Sequence, residues 1–126
     1  MGTTLYHATP QGNLDNILQQ GMRSHSYWTD NKRLLFYYIE TIEDDGDDAA
    51  VVAVDLTAFN LGNIHPDFCG LEEPITTVIG RSEEDVIKQW SESNHHWQDC
   101  LTIIGSICYH DSIPPSFLSV CDMGNL

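Results

Sequence analysis

Basic residues are scarce in this chain. Five Lys and Arg stand against nineteen Asp and Glu, a net charge of −14 over 126 residues. Direct binding to a nucleic-acid backbone needs clustered Lys and Arg, so it is not expected. Long apolar runs are missing as well. No stretch approaches the roughly 20 apolar residues of a membrane span, and no basic-plus-apolar leader opens the chain, so no membrane association and a cytoplasmic location are expected. The glycines form neither a GxGxxG pattern nor a P-loop. Cys69, Cys100, Cys108 and Cys121 include no CxxC pair, which suits reduced thiols better than a disulfide framework. His95, His96 and Cys100, with Cys108 and His110, are metal-ligand types. Their HHxxxC spacing lacks the second tight pair of a structural zinc site, so no metal is expected. Nothing local activates Cys100 and His110 as a nucleophile pair, which leaves Cys100 as a small buried thiol.

What the chain does have is enough apolar content for one domain, residues 1–126, burying about two-thirds of its unfolded surface. A monomer or small oligomer is the default. The acid concentrates in ETIEDDGDDAA, where Glu40, Glu43, Asp44, Asp45, Asp47 and Asp48 repel one another. One reading is a solvated loop. The other is a surface for a basic protein partner or acceptor, since opposite fields speed encounter.

Along the chain, TTLYHAT has strand composition. Asn13 can cap a helix whose Leu14, Ile17, Leu18 and Met22 recur at helical spacing before the Gly21 stop. SHSYWTD reads as a short strand ending at Asp30, which can cap a second helix with the stripe Leu34, Leu35, Tyr38, Ile39 and Ile42. AAVVAVDL is a strand buried on both faces. The segment from Thr57 to Gly80 reads mostly as loop, with a strand at ITTVI. Ser82 and Asp85 resemble a capping box ahead of a helix. LTIIGSICYH reads as one or two strands, and PPSFLSVCD as an edge segment because prolines cannot donate to a ladder. The fold class is α+β: a single domain with a split, antiparallel-rich β-sheet and flanking helices.

LYHATP, the helix NLDNILQQGM, the strand YWTD, the helix KRLLFYYIE and the strand VVAVDL, in this order, resemble the ADP-ribosyltransferase fold. SIPPSFLSV resembles that family's closing Ile–Pro–Pro segment. The resemblance covers the first 56 residues and about 25 near the C-terminus. It implies NAD, as substrate, bound in a cleft between two halves of the sheet. His7 would donate a hydrogen bond to the adenosine-side ribose. Ala8 and Thr9 would place backbone and hydroxyl groups beside the nicotinamide amide, Tyr27 would stack on its ring, and Thr29 at the end of the same strand is a further cofactor-binding candidate. Tyr37 on the second helix is the freer candidate for a second ring, because Tyr38 belongs to the core stripe.

Cleaving the nicotinamide–ribose bond develops positive charge on the ribose, which a carboxylate can stabilise. The family supplies a late Glu, and this chain has none after Glu92. Asp99, Asp111 and Glu92 are the candidates. Asp99 is expected at the leading end of the strand LTIIGSICYH and is the first choice as catalytic carboxylate, with His7 and Tyr27. The resemblance implies a small mono-ADP-ribosyltransferase modifying a protein or nucleic-acid acceptor. Its size and acidity would suit a phage or mobile-element protein that disarms a host-defence factor in the host cytoplasm. The alternative is a non-catalytic nucleotide-binding or acidic partner-binding inhibitor on the same fold.

Overall fold

In the computed structural model, which describes residues 3–72 and 76–126, six strands form one antiparallel sheet. They are β1 (Thr4–Pro10), β2 (Ser26–Thr29), β3 (Ala49–Asp55), β4 (Ile64–Pro66), β5 (Ser106–Tyr109) and β6 (Ser119–Cys121), in the spatial order β4-β5-β2-β1-β3-β6. The helices are α1 (Leu14–Gln20), α2 (Lys32–Asp44), α3 (Phe68–Glu72), α4 (Thr76–Ile79), α5 (Glu83–Glu92) and α6 (Trp97–Ile104).

Period-two alternation sorts the strand residues onto two faces. On the first face Leu5, Trp28, Val52, Val54 and Ile107 are at most 2% exposed. Leu14, Met22, Phe59 and Ile113 close over them. On the second face Ala49 and Val51 lie under Leu35 and Ile39 of α2. β3 is thus buried on both sides, as its continuous apolar run requires.

The ladder is uneven, and the unevenness positions the site. β1 pairs with β3 over its whole length, from Thr4↔Asp55 to Pro10↔Ala49. β2 pairs with β5 from Ser26↔Tyr109 to Thr29↔Ser106. Between β1 and β2 the described ladder holds the single pair Tyr6↔Thr29. The sheet is therefore two half-sheets, β4-β5-β2 and β1-β3-β6, joined at one residue pair.

Local chemistry explains several element ends. Gly21 follows α1 with φ +85°, and a Cβ there would meet Ile113 O at 2.0 Å. Met22 and Ile113 then exchange backbone hydrogen bonds of 2.9 and 3.0 Å. The Gly stop of the first helix and the Ile–Pro–Pro segment, ninety residues apart in sequence, hold each other. Asn31, rather than Asp30, caps α2, its Oδ1 accepting from Leu34 N at 3.1 Å. Asn13 makes no side-chain cap bond, because a 3-10 turn leads directly into α1. Ser82 caps α5 by accepting from Asp85 N at 3.2 Å.

Two strand assignments are corrected. LTIIG is the end of α6, which stops at Gly105 in the left-handed conformation; the strand begins only at Ser106. Ile103 and Ile104 pack against Leu71, Val86 and Cys100. That helix–helix contact outweighs the strand propensity of β-branched residues. In ITTVI, Ile75 lies outside the described residues and Thr76–Ile79 is a helical turn. β4 and α3 occupy part of the segment read as loop, and each is too short to show a period. PPSFLSVCD does supply an edge strand, β6 pairing with β3 at the rim. Among the described residues no helix is long and apolar enough to cross a membrane.

Candidate functional site

The gap between the half-sheets is spanned by a side chain. His7 turns toward the first face, 5.5 Å from the Trp28 ring, and its Nδ1 lies 2.8 Å from Tyr27 O. A carbonyl can only accept, so Nδ1–H donates. Burial lowers the His7 pKa from its ordinary 6.5, partly offset by that bond. The ring is then neutral near pH 7, and Nε2 is left as an acceptor. The Nδ1–H is thus engaged by Tyr27 O within the fold, and Nε2 is the ring nitrogen with which a ligand hydroxyl could bond.

A cavity lies on each side of the gap, and both share His7 and Tyr27. The first, about 330 Å³, lies between the second face and α2 and includes Tyr6, Ala8, Thr29, Tyr38 and Ser106 in its wall. The second, about 390 Å³, is more polar and is lined by Thr9, Asn13, Asn16, Arg23, Ser24, His25 and Ser26 among others. Each matches the lower range of small-molecule sites. Arg23, one of only five basic side chains, stands in the second wall, where an anion would need it.

The expected ligand residues divide between these cavities. Ala8 lines the first and Thr9 the second, because neighbouring strand residues face opposite ways. Tyr27 is 45% exposed. Its phenol lies 4.0 Å from Cys69 Sγ. That contact, then burial and the charges of Cys108, Cys69 and Asp67, push its pKa up to about 12. Thr29 is committed to structure: its hydroxyl donates to Gly105 O and accepts from Asn31 N at 3.0 Å. Tyr37 is exposed and lines neither cavity. Tyr38, Thr41 and Ile42, at i, i+3 and i+4, turn the cavity face of α2 inward. On α2 the tyrosine in the cavity wall is therefore Tyr38 rather than Tyr37; burial raises its pKa first and the charge of Asp67 second.

None of the three late carboxylates lines either cavity. Asp99 is in the first turn of a helix instead of at a strand end, and its Oδ2 accepts from His96 N at 3.2 Å as a cap. Asp111 accepts from Asn63 Nδ2 at 3.2 Å and Ser112 N at 2.8 Å. Glu92 ends α5 and is exposed.

Among the described residues no carboxylate lines the first cavity, but Asp67, which the sequence reading passed over, stands directly behind Ser106 of its wall. It is 5% exposed. Its Oδ1 accepts from Gly70 N at 2.9 Å and its Oδ2 from Ser106 Oγ at 2.8 Å. A Cβ on Gly70 would meet Asp67 Oδ2 at 2.7 Å. The one sequence signal was this Asp-Phe-Cys-Gly spacing, a carboxylate followed by the glycine that lets it fold back. Cys100 completes the network, its Sγ accepting from Asp67 N at 3.3 Å and donating to Ser106 O at 3.1 Å. Burial pushes the Cys100 thiol up to about 12, so it stays protonated and is no nucleophile.

Beside the second cavity, which His25 lines, His65 and His110 stack at 3.9 Å, and His110 and His25 at 4.5 Å. Burial and then the neighbouring His65 and His25 lower the His110 pKa. Among the described residues no group of three His, Cys, Asp or Glu side chains is placed to hold a metal ion.

No protein-family model matches the chain, and no curated protein sequence matches it significantly.

Proposed function

We propose that the chain is a small NAD-dependent ADP-ribosyltransferase in which the dinucleotide threads the gap between the half-sheets. The observation that carries this reading is the single-pair junction between β1 and β2, bridged by His7 and Tyr27, with an aromatic cavity on one side and a polar one on the other. The nicotinamide would enter the first cavity between Tyr27 and Tyr38. The adenosine-side ribose would donate to His7 Nε2, and a phosphate would meet Arg23 in the second. The acceptor would be a basic protein, matched to a surface of net charge −14.

A second reading, a binding module without turnover, is favoured by the position of Asp99, Asp111 and Glu92 away from both cavities. One experiment separates the two. NAD is titrated calorimetrically, then nicotinamide release and transfer of labelled ADP-ribose are followed with basic acceptor proteins. Binding with release supports the transferase, and binding without release supports the module. No binding of NAD refutes the transferase and a nucleotide-binding module, and leaves a module that binds a basic partner through its acidic surface.

A further inference from the structure

The first cavity combines two features that seldom coincide in a neutral-ligand site. Its wall carries the rings of Tyr6, Tyr27 and Tyr38. Immediately behind Ser106 sits a buried carboxylate for which, among the described residues, no basic partner is present. Ser106 Oγ spends its proton on Asp67, so its lone pairs are what it offers the cavity. Ring faces, an acceptor oxygen and a negative charge in low dielectric all favour a positive ligand over a neutral one.

We propose that Asp67, acting through Ser106, makes the first cavity selective for a planar aromatic cation, the oxidised pyridinium ring of NAD, over the neutral ring of the reduced cofactor or of free nicotinamide. The dinucleotide reading supplies the name of the ring; the charge preference stands on the cavity alone. Asp67 also faces the cavity's rings electrostatically, as a lesser cause of their raised pKa values, after the Cys69 contact and burial for Tyr27 and after burial for Tyr38. Such a cavity would hold the substrate ring while it is charged. It would release the ring once cleavage makes it neutral. Asp67 is here a positioning residue, because it touches the ligand only through Ser106.

The test uses the ring fragment, in 0.15 M salt so that the acidic surface is screened over about 8 Å while a buried carboxylate is not. The probes are the 1-methylnicotinamide cation, neutral nicotinamide and methylguanidinium, followed by tyrosine fluorescence and calorimetry on the unmodified protein. The expected result is binding of the methylnicotinamide cation about tenfold tighter than nicotinamide. Asp67→Asn should reduce that preference to about twofold or less, with nicotinamide affinity unchanged. Ser106→Ala removes the hydroxyl through which Asp67 acts and should also reduce the preference, which decides the matter if Asp67→Asn does not fold; a preference unchanged in Ser106→Ala counts against the proposal. Equal affinity for cation and neutral ring, or a preference that survives Asp67→Asn, overturns the proposal. So does methylguanidinium binding as tightly as the ring, which would make the cavity a site for an acceptor arginine. If the cation binds with the Asp67 dependence but NAD does not, the inference stands and the transferase reading falls.

Discussion

His7→Phe is the most informative single change. It keeps a ring of similar size against Trp28, 5.5 Å away, and removes both ring nitrogens, the Nδ1–H that bridges to Tyr27 O and the Nε2 acceptor. The bond stands where the β1–β2 ladder has no described backbone pair beyond Tyr6↔Thr29. Its loss leaves the Tyr27 carbonyl without this donor, which costs about 1–2 kcal/mol. For a chain of this size that lowers the thermal midpoint by roughly 4–10 °C. A pH series adds an independent signature. The folded ring titrates below its ordinary 6.5, so the unfolded chain takes up the proton first as the solution is acidified. The neutral ring's contribution is complete above pH 6.5 and is lost progressively as pH falls toward the lowered folded value. The difference in stability between the parent and His7→Phe should shrink over that window. NAD binding should weaken about fivefold to thirtyfold in the variant, because Nε2 is gone as an acceptor. Thermal melts at several pH values and one calorimetric titration suffice. An unchanged midpoint with unchanged pH dependence would refute the bridging role. An unchanged NAD affinity would refute the ligand role.

Four further outcomes follow from the same geometry. Arg23→Gln should leave thermal stability within about 0.5 kcal/mol of the parent, being an exposed side chain, yet weaken NAD binding severalfold in a titration. Gly70→Ala should cost about 1–3 kcal/mol in denaturant unfolding, because its Cβ would meet Asp67 Oδ2 at 2.7 Å and Ile104 Cδ1 at 2.9 Å. Asp99→Ala should lower stability by about 0.5–1 kcal/mol through the lost cap and leave NAD affinity alone; a loss of affinity would restore Asp99 to the site. Iodoacetamide at pH 8 should label exposed Cys69 and spare Cys100, with mass spectrometry finding Cys100 modified only after unfolding.

The sequence alone determined those features whose cause is local or periodic. The run AAVVAVD could only be a strand buried on both faces, and the stripe Leu34, Leu35 and Ile39 could only seat a helix on the sheet. Gly21 had to end α1, and an α+β domain followed from these elements. What the sequence could not determine is which distant side chains meet. Asp67 and Ser106, thirty-nine positions apart, become a hydrogen-bonded pair only because β4 and β5 are neighbours in the sheet. Tyr38 had the spacing of a core residue, and only the gap left by the short β1–β2 ladder makes it a cavity wall. Asp99 had the alternation of a strand. Local alternation over three residues cannot compete with a helix capped by Asp99, stopped by Gly105 and buried through Cys100, Ile103 and Ile104. Of the candidate site, His7 and Tyr27, which line both cavities, were legible because they lie on elements the sequence reads well. Its charge was not, because a carboxylate's role depends on what excludes water around it, and that is set by tertiary packing.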